Sequence, residues 1–150
     1  MPLSNATLLQ ELVDLGEHAT QPGAARAWGA AYAAYAQQST ALSPTPGIAL
    51  ATATSVIVPA LAGLPSAGSS FYSTLAAALM AFWTTAIPSG TPGAGAVLVP
   101  PGLAELLEPP SRSALAARDR VSALTPIANT LHTWALTISY TVGQSSVPLT

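Results

Sequence analysis

The stretch "TLHTWALTISYTVG", residues 130–143, decides how the end of this chain is read. Trp134, Leu136, Ile138, Tyr140 and Val142 alternate with Thr133, Ala135, Thr137, Ser139 and Thr141. A period of two built from β-branched and aromatic residues predicts a strand with one buried face over 133–142. An isolated strand leaves its backbone donors and acceptors unpaired, so it needs an edge to join. Within the chain, "GAGAVLV" and "TSVIV" are the candidate partners. Otherwise a neighbouring subunit supplies the edge.

Working back from this segment, "SRSALAARDRVSALTPIANTLHTW" predicts a helix with Val121, Leu124, Ala128 and Leu131 on its apolar face. Pro126 either kinks it or, with Thr125 as N-cap, starts a fresh helix. "LAELLEPP" before it has the makings of a short helical turn. "PSGTPGAGAVLVPPG", 88–102, predicts a long Pro/Gly-rich loop. The strongest helical pattern is "SSFYSTLAAALMAFWTTAI", where Phe71, Leu75, Leu79, Phe82 and Trp83 form a stripe. "IALATATSVIVPALAGL", 48–64, fits helix or strand, its alanines favouring helix, with a kink expected at Pro59. Near the start, "NATLLQELVDLGE" and "QPGAARAWGAAYAAYAQQS" predict two helices. The first is capped by Ser4 or Asn5, and the second carries Trp28, Tyr32 and Tyr35 on one face. The sum is a single mainly helical α+β domain over 1–150, with about four helices and a small C-terminal β element.

Composition sets the function classes. Charged residues make up 7% of the 150 positions, against roughly 25% in an ordinary soluble domain. There is no lysine, and the basic residues are Arg26, Arg112, Arg118 and Arg120. Part of this deficit fits the codon bias of a GC-rich, alanine-rich genome. A net charge of -2 without a basic patch argues against direct contact with nucleic acid. Cysteine is absent, which removes disulfides and thiolate chemistry. The N-terminal stretch lacks a basic region, and Glu11 and Asp14 interrupt its apolar run, so it does not read as a signal peptide.

No charged residue occurs between Arg26 and Glu105, a span of 78 positions. Lipid could cover such a span, and so could other subunits. Residues 66–87 are long enough to cross a bilayer. They are rich in Ser and Thr, however, and no flanking Arg or Lys sets an orientation. Charge depletion with aromatic anchors also marks the cores of protein interfaces, and that reading is preferred. The expected interface residues are Trp28, Tyr32, Tyr35, Phe82, Trp83, Trp134, Ile138 and Tyr140.

The candidate chemistry is thin. Glu11, Asp14 and His18 share one helix face in a metal-ligand pattern, but no second cluster completes a shell, and a solvated face explains them. His132 follows Asn129 by three residues. No nucleophile or orienting group is identifiable beside it, so backbone pairing at the helix–strand junction is expected. "GTPGAG", 90–95, lacks the Gly-Lys-Ser/Thr ending of a phosphate loop. "AGSSF" is no nucleophile elbow. "RSALAARDR" holds three of the four arginines and reads as a solvated helix face or a dock for an acidic neighbour. No catalytic residue, metal ligand or cofactor is expected, and the chain is not read as an enzyme.

An alanine-rich helix carrying "IANTLHTW" that runs into the Thr-rich "ALTISYTVG" resembles small virion structural proteins of tailed phages and of phage-derived contractile particles. The resemblance covers residues 112–143. It implies a structural subunit of a head, neck or tail, partnered by copies of itself or by other virion proteins. Such a protein would be assembled in the bacterial cytoplasm and end up in the particle. The resemblance implies no catalytic residues. The alternative expectation is a small membrane-active, holin-like pore former.

Overall fold

A computed structural model of the chain describes residues 3–14, 21–39, 41–62, 69–91, 93–116 and 119–149. The elements, in chain order, are α1 (Asn5–Val13), α2 (Gln21–Ala36), α3 (Ile48–Ala62), α4 (Ser69–Gly90), β1 (Ala94–Leu98), α5 (Leu103–Ala116), α6 (Arg120–Ala135), β2 (Ser139–Val142) and β3 (Ser145–Pro148). The chain is mainly helical with a small antiparallel sheet, as the sequence predicts, but the described residues hold six helices where about four were expected.

Residues 48–62 resolve as helix. Ala49, Thr52, Ala53, Ile57 and Leu61 are buried at steps of three, one, four and four, a spacing that only a helix brings to one side. Thr54 is exposed, and Val58 is partly buried against the core. The "LAELLEPP" turn extends into a fourteen-residue helix, α5, that includes Pro109 and Pro110. Each proline removes one internal hydrogen bond. The fully buried Leu103 and Leu107, one turn apart, anchor the segment, which packs against α4 and α6. In α6 the chain runs helical through Pro126. The N-cap is Asp119, whose carboxylate accepts from the Ser122 amide at 2.8 Å. Thr125 is no cap; its hydroxyl donates back to the Val121 carbonyl. In α1 the cap is Ser4.

The expected ten-residue strand is corrected most. Helix α6 continues to Ala135, and only Ser139–Val142 are extended. Of the five residues placed on the buried face, Leu136 and Val142 are exposed. Leu131, Trp134, Ala135 and Ile138 are buried, at steps of three, one and three, which is the helical period. Trp134 and Ile138 satisfy both periods, and packing selects the helix. The helix ends through amide bonds from Leu136, Thr137 and Ile138 to the carbonyls of His132, Trp134 and Ala135.

The stretch 88–102 is less of a loop than its composition predicts. Helix α4 runs through Pro88 to Gly90, and β1 occupies 94–98. "GAGAVLV" is indeed the partner of the C-terminal strand, whereas "TSVIV" lies in α3. The sheet order is β1-β2-β3, all antiparallel. Tyr140 stands opposite Val97 on one side and Val147 on the other. A bulge lies between Ala94 and Val97. At its tip the β2–β3 hairpin turns on Gly143, whose φ of 65° suits glycine.

One hydrophobic cluster runs through the described chain from Leu3 to Leu149. Helix α3 packs between α2 and α4, and α1 packs against both α2 and α6. Close helix approach depends on glycine. A Cβ on Gly29 would meet Val58 at 2.8 Å, and one on Gly90 would meet the Ala41 carbonyl at 2.8 Å.

Candidate interaction surface

Seven of the eight expected interface residues are buried within the chain itself. Tyr32, Tyr35, Phe82, Trp83 and Ile138 are fully buried, and Trp134 and Tyr140 nearly so. Trp28 is half-buried against the same core. A side chain without exposed area has little left to offer a partner as an anchor.

Tyr32, Tyr35, Phe82 and Trp83 form a central aromatic cluster joining α2 to α4. Phe82 meets Tyr32 and Trp83 edge-on, with ring centroids 5.6 and 5.2 Å apart. Trp83 Nε1 donates to the Tyr32 hydroxyl at 2.9 Å, satisfying a donor that burial would otherwise leave unpaired. Leu75 and Leu79 complete the α4 stripe, and both are fully buried. The side chain of Phe71 lies outside the described residues. Trp134 Nε1 donates to the Pro100 carbonyl at 3.1 Å, tying the end of α6 to the segment after β1.

His132 is not paired with backbone, as expected from sequence, but with Tyr35. The Tyr35 hydroxyl and His132 Nδ1 are 2.9 Å apart. Burial, with Tyr32 beside it, pushes the Tyr35 phenol far above its ordinary range. Burial pushes the Tyr32 phenol up as well, despite the hydrogen bond from Trp83. Loss of solvent lowers the His132 imidazole. A phenol held protonated beside a neutral imidazole gives a neutral hydrogen bond, whose donor is set by the imidazole tautomer. The pair therefore joins α2 to α6 without a charge. No sequence signal points to it, because 97 positions separate the two residues.

Of the Glu11–Asp14–His18 face, His18 lies outside the described residues. Asp14 accepts from Gln10 of its own helix at 2.9 and 3.0 Å. The side chains of Arg112, Arg118 and Arg120 are likewise outside the described residues. Asp119 between them caps α6, and its hydrogen bonds from Ser122 hold its carboxyl below the usual range.

The uncharged span reaches the surface on α3 and α4. Leu50, Ala51, Thr54, Ser55 and Pro59 are exposed on α3. Ser73, Ala77, Ala81, Thr84, Thr85, Pro88 and Ser89 are exposed on one side of α4. Several hydroxyls here are already used. Thr54 donates to the Leu50 carbonyl at 2.8 Å, Thr84 to Met80 at 2.9 Å, Ser55 to Thr52 at 3.1 Å and Ser89 to Thr85 at 3.3 Å. The Thr54 and Thr84 hydroxyls thus turn inward on their own helices, so covering this surface would orphan neither of these donors. Among the described residues, no helix is long and apolar enough to cross a membrane. Comparison with protein-family models, with curated proteins and with solved structures finds no match.

Proposed function

We propose that this chain is a structural subunit of a phage or phage-like particle, in its head, neck or tail, acting by assembly with copies of itself or other virion proteins and without catalysis. The observation that supports it is the exposed side of α3 and α4: it carries no charge, it is mostly Ala, Ser and Thr beside Leu50, and the hydroxyls of Thr54, Ser55, Thr84 and Ser89 are bonded to their own helices. Such a surface loses little when water is removed from it, and its small residues admit a neighbouring backbone closely. The aromatic cluster inside supplies a self-sufficient core, so the subunit is built to fold first and assemble afterwards. The particle itself is suggested by the resemblance of residues 112–143.

The test is sedimentation of the chain, alone and co-expressed with the products of the genes flanking its own. Wild type is expected in large assemblies. Ala77→Glu with Ala81→Glu places two carboxylates on the exposed side of α4 and is expected to leave the fold intact while abolishing assembly. A wild-type chain that stays monomeric in both settings, or a double variant that assembles normally, overturns the proposal.

A further inference from the structure

We draw no further inference here: the strongest candidate, the outer edge of β1, which ends the three-stranded sheet and carries the exposed Leu98, carries nothing because nothing in the structure shows what covers it.

Discussion

Truncating Phe82 to alanine tests the core on which every other inference stands. The Phe82 side chain is fully buried and meets Tyr32 at 86° and Trp83 at 80°, both edge-on. The substitution removes a phenyl ring, leaves a cavity between α2 and α4, and ends two aromatic contacts. Buried Phe→Ala changes cost about 3–5 kcal/mol. Aromatic pairs account for about 0.5–1.5 kcal/mol each beyond area. Two full edge-on contacts place Phe82→Ala in the upper half of the range, at about 4–5 kcal/mol. For a chain of this length each kcal/mol shifts the melting temperature by about 2–4 °C, so a fall of about 8–20 °C is expected. Chemical denaturation followed by tryptophan fluorescence measures the free energy directly, since Trp83 is beside the lesion. Phe82→Leu keeps much of the volume and loses both ring contacts, so it should fall between. A Phe82→Ala chain destabilised by less than about 1 kcal/mol would show that the ring is not enclosed as described, and would refute the aromatic core.

Gly90→Ala should destabilise by about 1–3 kcal/mol, because its Cβ would sit 2.8 Å from the backbone oxygen of Ala41, which has little room to yield; an unchanged urea midpoint would contradict that packing. His132 titrates lower in the fold than in the unfolded chain, so the unfolded state takes up the proton first as pH falls. Stability should therefore decline as pH drops below about 6.5 and level off once the folded imidazole is also protonated. His132→Gln should remove that decline, read as the difference between the two pH–stability curves. Tyr32 and Tyr35 have raised folded values, so their contribution is intact below about pH 10 and is lost above it, where the unfolded phenols ionise first. Ultraviolet difference titration should find these two tyrosines still protonated well past pH 10, and Tyr35→Phe should shrink the alkaline loss.

The sequence by itself determined what depends on near neighbours. The apolar spacing of Leu75, Leu79, Phe82 and Trp83 predicts α4, and each of these four is fully buried. The uncharged span from 27 to 104 is likewise a property of composition, and it alone requires that the exposed sides of α3 and α4 carry no charge. Tertiary structure decided where two periods compete. Trp134 and Ile138 are four apart, compatible with a strand of period two and with one helical turn, so alternation could not locate the end of α6. The contacts of Trp134 with Pro100 and of Ile138 with the core decided it. Likewise "GAGAVLV" becomes a strand because β2 lies beside it, through pairs such as Val97 with Tyr140 that lie 43 positions apart. The Tyr35–His132 and Asn5–Asn129 bonds belong to the same class. They arise between elements distant in sequence, and hydrogen-bond partners at that separation follow from how helices pack, which no local pattern encodes.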